Sequence, residues 1–226
     1  MRFKDVFSII GPAMIGPSSS HTAGAIRLGR VARQLFGELP QKAVIALYGS
    51  FAETYEGHGT DLALVGGLLD YETDDPRIPQ SLQLAEEAGL EVVFSPAKKP
   101  AFHPNTATLQ LSSDAIQLSV TGASIGGGNI EIISVDQFDV KFTGLYPTLV
   151  ISHEDRPGMI ADITAILRTM MINIGYMDVD RKARKGEAMT VIEIDTRPEP
   201  GLIEVIEKIS SVSKVRVVDL TERRKP

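Results

Sequence analysis

Apolar positions along the first 144 residues follow two periods, and together these periods predict an α+β domain. Spacings of three and four residues predict helices over 26–36, 62–69 and 80–88. Continuous or alternating apolar runs predict strands over 43–48, 90–94, 108–111, 116–121 and 130–135. A short apolar segment over 3–10 precedes them as a helix or strand. Gly37 is expected to cap the first of the three helices.

The remaining residues, 145–226, show a different order of elements. Strands are predicted over 149–151, 172–180, 188–195 and 212–220, and helices over 159–170 and 200–209. The order is therefore βαββαβ, which is typical of a ferredoxin-like split βαβ sheet. We expect two domains, 1–144 and 145–226.

Composition narrows the classes of function. The chain has 226 residues, and 43% of them are hydrophobic, which is enough for a core. Its 29 acidic and 23 basic residues give a net charge of −6, which argues against nucleic acid or an anionic membrane as the main partner. No run is long enough to span a membrane and no secretory segment opens the chain, so we expect a cytoplasmic protein. The absence of cysteine excludes disulfides and a metal cluster held by thiolates of this chain alone.

Three serines and a histidine mark the first candidate site. Gly16-Pro17 breaks the chain before Ser18-Ser19-Ser20-His21-Thr22, and the first helix follows. Ser and Thr are favoured helix caps, and a helix N-terminus offers free N–H groups to an anion. The segment therefore suits a carboxylate or phosphate. The alternative is an ordinary cap with an incidental histidine.

A second histidine, His58, lies between two glycines just before a predicted helix. Residues 55–61 are predicted to form a loop in which these glycines allow close approach to a ligand. Thr60 and Asp61 are expected to cap the helix, and Asp61 could also orient the His58 imidazole. Histidine is the side chain whose ordinary chemistry suits proton transfer near neutral pH, so both His21 and His58 are candidates for that role. The alternative is a turn with a solvent-exposed histidine.

Two further segments carry turn chemistry. His103 and Asn105 precede a predicted strand and could add an imidazole and an amide to the same cleft, or form a plain turn. Gly126, Gly127 and Gly128 suit an anion-binding concavity of backbone N–H groups, a tight bulge or a β-turn. Their spacing is not a dinucleotide fingerprint.

The C-terminal region resembles the ACT domain, because its βαββαβ order carries Asp155-Arg156-Pro157-Gly158 at the first strand–helix junction. ACT domains are regulatory modules that pair side by side and bind amino acids, so the resemblance implies a homodimer. It also implies an effector site, which consists of Glu154, Asp155, Gly158, Met159, Asn173 and Ile174. The alternative is a module that only dimerises.

The first region resembles the β chain of the iron–sulfur-dependent L-serine dehydratases. Four segments carry the resemblance in the family's order: 16–22, 48–50, 57–61 and 124–128. It implies dehydration of L-serine to aminoacrylate, which hydrolyses to pyruvate and ammonia without pyridoxal phosphate. It also implies a separate α subunit whose cysteines hold a [4Fe–4S] cluster, with an open iron acting as Lewis acid on the leaving hydroxyl.

The resemblance also implies roles for individual residues. His58 is the leading candidate for the base or proton shuttle, and His21 is the second. The substrate is expected to contact Ser18, Ser19, Ser20, Thr22, Asp61, His103, Asn105, Gly126 and Gly127. A competing interpretation is a regulatory binding module, because the first region also resembles the allosteric substrate-binding domain of some 3-phosphoglycerate dehydrogenases.

Overall fold

The computed structural model describes residues 12–221, which form two compact units, 12–136 and 137–221. The apolar segment predicted over residues 3–10 lies outside the described residues. Each unit has its own hydrophobic core. The predicted α+β class is confirmed.

The first unit alternates helices and strands. A single π-helical turn, Ser19–Ala23, runs directly into the first α-helix. The elements that follow are α1 (Gly24–Phe36), β1 (Lys42–Tyr48), α2 (Gly49–His58), α3 (Thr60–Leu68), a 3₁₀ turn (Ile78–Gln80), α4 (Ser81–Glu87), β2 (Glu91–Pro96), β3 (Thr106–Ser112), β4 (Gln117–Gly126) and β5 (Asn129–Val135).

The apolar face predicted for α1 is confirmed. The apolar residues whose spacing predicted this helix are all buried: Ile26, Leu28, Val31, Leu35 and Phe36. Gly37 ends the helix in the left-handed conformation, with φ of 95°, and its N–H is accepted by the Arg33 carbonyl.

Strand register in the first unit determines which loops meet. The sheet order is β2-β1-β3-β4-β5, with β1 and β2 parallel and the other neighbours antiparallel. Tyr48, the last residue of β1, pairs with Thr106, the first residue of β3, and Thr106 pairs with Ala123. The segments after Tyr48, before Thr106 and around the end of β4 therefore lie at the same end of the sheet.

Helices α1 and α3 cross at two glycines. A Cβ atom added to Gly67 would lie 2.2 Å from the Ile26 carbonyl oxygen, and one added to Gly29 would lie 2.3 Å from the Leu64 carbonyl oxygen. These distances are shorter than any van der Waals contact. The two helices can pack this closely only because neither position carries a side chain.

The second unit has the predicted ferredoxin-like order. After β6 (Phe138–Phe142), its elements are β7 (Thr148–Glu154), α5 (Met159–Thr169), β8 (Ile174–Arg181), β9 (Glu187–Ile194), α6 (Pro200–Glu207) and β10 (Val212–Val218). The sheet order β10-β7-β9-β8 is antiparallel throughout, and its core includes Leu149, Ile151, Ile163, Leu167, Ile192 and Ile206. The βαββαβ prediction is confirmed.

The loop predicted over residues 55–61 was wrong. Residues 49–58 form α2, Gly57 is helical, and only Gly59 has a positive φ, of 67°. Gly59 both ends α2 and serves as the N-cap of α3, so Thr60 and Asp61 are the first residues of α3 rather than its caps. Gly57 is therefore an ordinary position within α2 and Gly59 is the boundary between two helices, so the two glycines do not form a flexible loop around His58.

Candidate active site

The serine segment forms the start of a helix, and the hydroxyl of Ser18 is hydrogen-bonded within the first turn of that helix. Of the serines and the threonine in this segment, Ser18 is the N-cap, and its Oγ accepts a hydrogen bond from the His21 backbone N–H at 3.3 Å. Thr22 is buried against Gly16, where an added Cβ would lie 2.4 Å from the Thr22 side chain. Gly16 also has φ of 130°, so the tight turn before the serines requires glycine.

Within residues 12–221, four side chains from two segments contact the His21 ring. Its Nε2 lies 3.1 Å from Ser50 Oγ, and its Nδ1 lies 3.4 Å from Ser18 Oγ. The rings of Phe51 and His58 meet it edge-on, with centroids 5.3 Å and 4.8 Å away. The structure therefore brings together the two histidines that the sequence separates by 37 positions.

One short helix supplies three of these four neighbours. Helix α2 begins immediately after the buried strand β1, with Ser50 and Phe51 in its first turn and His58 as its last residue. Because 50 and 58 are separated by about two helical turns, they lie on one face. Gly49 permits the sharp entry into the helix: its φ is 52°, and an added Cβ would lie 2.7 Å from the Pro104 carbonyl oxygen.

Burial and the second imidazole both lower the pKa of His21. Burial is the larger cause, because it disfavours the charged form, and the nearby His58 adds repulsion between two cations. His21 is therefore neutral at pH 7 and can accept a proton. A neutral imidazole in contact with a second imidazole is suited to proton transfer.

The lowered pKa predicts a pH-dependent contribution to stability. In the unfolded chain His21 returns to its usual value of 6.5, so the unfolded state binds more protons as pH falls below about 7. The free energy of unfolding should therefore decrease more between pH 7.5 and 5.5 for the wild type than for His21→Gln. Urea denaturation at the two pH values measures this difference. Equal losses in the two proteins would contradict it.

Asp61 does not take the orienting position expected for it. Within residues 12–221 no hydrogen bond joins Asp61 to His58, and the Asp61 Oδ1 atom is buried without a hydrogen-bond partner. Burial raises the pKa of this carboxyl, and repulsion from Glu56 adds to the effect. Asp61 is thus a half-buried acid whose hydrogen-bonding capacity the fold leaves partly unused.

His103 and Asn105 lie just before β3, at the same end of the sheet as the segment that follows β1, but their side chains have different surroundings. The Asn105 carbonyl accepts from the Ser124 N–H at 2.9 Å, and an added Cβ at Gly24 would lie 2.1 Å from Ser124 Oγ. Asn105 is thus next to the start of α1. His103 Nδ1 accepts from the Asn105 N–H at 3.1 Å. The His103 side chain also borders a groove of about 730 Å³ whose lining includes Glu53, Lys98 and Lys99.

Several polar atoms around the start of α1 have no hydrogen-bond partner among the described residues. Thr22 Oγ1, Asn105 Oδ1 and Ser124 Oγ are all buried. Buried polar atoms are nearly always paired, so their capacity remains for a bound ligand or water.

The triple glycine is a hairpin turn, which was one of the alternatives left open. Gly126 pairs with Asn129, and the two residues between them, Gly127 and Gly128, have φ of 63° and 78°. The Gly128 carbonyl accepts from the Arg27 guanidinium at 2.6 Å. The turn therefore lies against the first turns of α1.

The residues predicted for an effector divide into two groups within one chain. Glu154 ends β7, Gly158 caps α5 with φ of 87°, and Met159 is the first, buried residue of α5. The Asp155 carboxylate accepts from Arg181 at 3.1 Å and from the Lys185 N–H at 3.2 Å.

Asn173 and Ile174 form the second group. Asn173 donates to Asp195 at 2.7 Å, and Ile174 begins β8. Glu154 pairs with Glu187 at one end of β9, whereas Ile174 pairs with Ile194 at the other. The register therefore places the two groups at opposite ends of the sheet.

Sequence reasoning gave no role to Ser50 or Phe51, the two residues of α2's first turn that contact His21. The available signal was the segment Tyr48-Gly49-Ser50 directly after a buried strand. A polar residue at the end of a buried strand is a common position for a functional side chain, but the sequence does not show which residue it faces.

The residues of this chain do not fit an iron–sulfur cluster as its ligands. The chain has no cysteine, and residues 12–221 contain no group of three or more His, Asp or Glu side chains that could hold a metal ion. In the same described range, no helix has the length and apolar character needed to cross a membrane.

Comparison with known proteins identifies both regions. The family model described as serine dehydratase beta chain matches residues 3–88, and the ACT domain model matches residues 147–211. The chain thus consists of a serine dehydratase β-type domain followed by an ACT domain. The chain belongs to the L-serine dehydratase β-chain family.

Three relatives illustrate the range of similarity. The probable L-serine dehydratase beta chain of Bacillus subtilis is 45% identical over 95% of this chain and 98% of its own length. The L-serine dehydratase beta chain of Peptoniphilus asaccharolyticus is 36% identical over 86% of this chain and 89% of its own. The D-3-phosphoglycerate dehydrogenase of Synechocystis is 26% identical over 85% of this chain but only 35% of its own length.

Proposed function

We propose that this chain is the β subunit of a two-chain L-serine ammonia-lyase that converts L-serine to pyruvate and ammonia without pyridoxal phosphate. The observation that carries the proposal is the His21–His58 pair, with ring centroids 4.8 Å apart, at the start of the serine-rich turn. The relatives named L-serine dehydratase beta chain support the substrate.

The site on this chain is half of the proposed active site. A separate α subunit ligates the [4Fe–4S] cluster, because this chain offers no thiolate for it. The two subunits meet in the cytoplasm as a heteromer, and the ACT region pairs with that of a second copy. The β subunit is therefore inactive alone.

The residues of this chain bind the substrate and move one proton. Dehydration breaks the Cα–H and Cβ–O bonds of serine and yields aminoacrylate, which hydrolyses to pyruvate and ammonia. His58 accepts the α-proton, and it either keeps this proton or passes it to the neutral His21. Removal of the hydroxyl group takes place in the α subunit's half of the site. The hydroxyls of the helix start, Ser18–Thr22, together with the Ser19 and Ser20 N–H groups, hold the substrate carboxylate.

Reconstitution with the α subunit tests the proposal. Serine-dependent pyruvate formation is measured anaerobically with each chain alone and with both chains co-expressed. We expect activity only from the pair, and loss of that activity on exposure to oxygen. A cluster-loaded, assembled pair that forms no pyruvate would contradict the catalytic role.

A second function, amino-acid sensing without chemistry, is favoured by one comparison. The similarity to the Synechocystis D-3-phosphoglycerate dehydrogenase shows that sequence of this type also occurs within a protein named for a different reaction. On that hypothesis the serine turn binds an anionic effector. Calorimetric titration of the chain with L-serine would show saturable binding that His58→Ala leaves intact, and an assembled pair would form no pyruvate.

A further inference from the structure

Ser50, in the segment Tyr48-Gly49-Ser50, has a polar side chain that takes no part in the proposed reaction as described above. Ser50 follows the buried strand β1, and its Oγ lies 3.1 Å from His21 Nε2. The contact is shorter than the one on the other side of the ring, where Ser18 Oγ lies 3.4 Å from Nδ1. A serine hydroxyl therefore faces each ring nitrogen.

Two hydrogen bonds and the conformation of Gly49 fix the backbone around Ser50. The Ser50 carbonyl accepts from Thr54 Oγ1 at 2.7 Å, and the following N–H, of Phe51, donates to the Pro104 carbonyl at 3.3 Å. Gly49 precedes it in a left-handed conformation that a side chain would block. The hydroxyl is thus aimed at His21 by a fixed helix start rather than by a mobile loop.

Two hydroxyls can satisfy the ring in both of its protonation states. A neutral imidazole has one donor and one acceptor nitrogen, whereas an imidazolium has two donors. A hydroxyl can donate or accept, so the Ser18 and Ser50 hydroxyls match either form without movement of the ring. The buried surroundings and the facing His58 would otherwise oppose a proton on His21.

We propose that Ser50 is a positioning residue whose hydroxyl accepts the Nε2–H of protonated His21 and so allows this histidine to hold a transferred proton. The inference rests on the proposed function for its catalytic meaning. The stabilisation of the charged His21 ring by the Ser50 hydroxyl involves the β chain alone. It can therefore be tested without the α subunit and without substrate.

The test is an NMR titration of the histidine resonances in the full chain. Hydrogen bonds to a charged group are stronger than those to a neutral one, so loss of the hydroxyl disfavours imidazolium. Ser50→Ala should therefore lower the pKa of His21 further, which corresponds to a roughly five- to tenfold larger acid dissociation constant. Ser50→Thr keeps a hydroxyl and should restore the wild-type titration. His58 is followed as well, because contacting histidines titrate as a pair.

The chain contains its own control. His153 lies in the second unit, where its ring contacts Thr190 Oγ1 at 2.7 Å and the Glu154 carbonyl oxygen at 2.9 Å, so its titration should not change in either variant. An unchanged His21 titration in Ser50→Ala would overturn the proposal. Equal changes in the Ala and Thr variants would also overturn it, because the hydroxyl would then not be the cause. Neither result depends on whether the assembled enzyme forms pyruvate.

Discussion

Replacing His58 with alanine should lower serine-dependent pyruvate formation by the reconstituted enzyme by about 10²- to 10⁴-fold, the range for loss of a general acid–base group. His58 ends α2 and its side chain is exposed, so the residue can meet a substrate that approaches from outside the chain. It also contacts His21, which is neutral at pH 7 and can take the proton onward. Loss of the imidazole removes the first step of that transfer.

The exposure of His58 makes this prediction separable from a folding defect. Substitutions of exposed residues change stability by about 0.5 kcal/mol or less, so His58→Ala should unfold at the wild-type urea concentration and still bind the α subunit. His58→Gln retains polarity and size without a titratable group and should lose activity to the same extent. A variant that keeps activity within tenfold of wild type would assign the base to another residue.

His21→Ala and the double variant complete the experiment. If the two histidines pass one proton, removing both should cost little more than removing either one, because residues that act as a unit are non-additive. Fully additive losses would indicate two independent roles. The rates are measured at saturating serine so that changes in substrate binding do not enter the comparison.

The elements with a strong apolar period were predictable from the sequence. The ACT region's βαββαβ order, the apolar face of α1 and the β3–β4 hairpin follow directly from alternation and helical spacing. The region around His58 was not predictable in this way. Two glycines within three residues suggested a loop, yet Gly57 lies on an exposed helix face where a missing side chain leaves nothing unfilled.

The candidate site was predictable in composition but not in geometry. His21 and His58 were each singled out by the glycines, serines and helix boundaries around them. Their contact depends on the sharp turn at Gly49, after which α2 lies against the π-helical turn that carries His21. Ser50 was missed for the same reason: its partner is 29 positions away, and no local pattern encodes that distance.

Replacing Gly67 with alanine should destabilise the first unit by about 3 kcal/mol, the upper part of the range for overpacking a core. The added Cβ would lie 2.2 Å from the Ile26 carbonyl oxygen and 2.8 Å from Gly29 Cα. Both are backbone atoms of α1, so relief requires moving the whole helix rather than one side chain. That movement would also displace the π-helical turn that carries His21, since the turn is continuous with α1.

Gly57→Ala is the matched control, because Gly57 is also helical but an added Cβ there has no atom within 4 Å. Alanine is the better helix former, so this variant should be more stable than wild type by about 0.5–1 kcal/mol. Urea denaturation, followed by a probe in the first unit, should therefore move the two variants in opposite directions. Because both changes add one methyl group to a helical glycine, helix propensity favours both equally, and only the close crossing of α1 and α3 separates them. If Gly67→Ala unfolds at or above the wild-type urea concentration, α1 and α3 are not held at this distance. In that case the crossing of the two helices does not position His21.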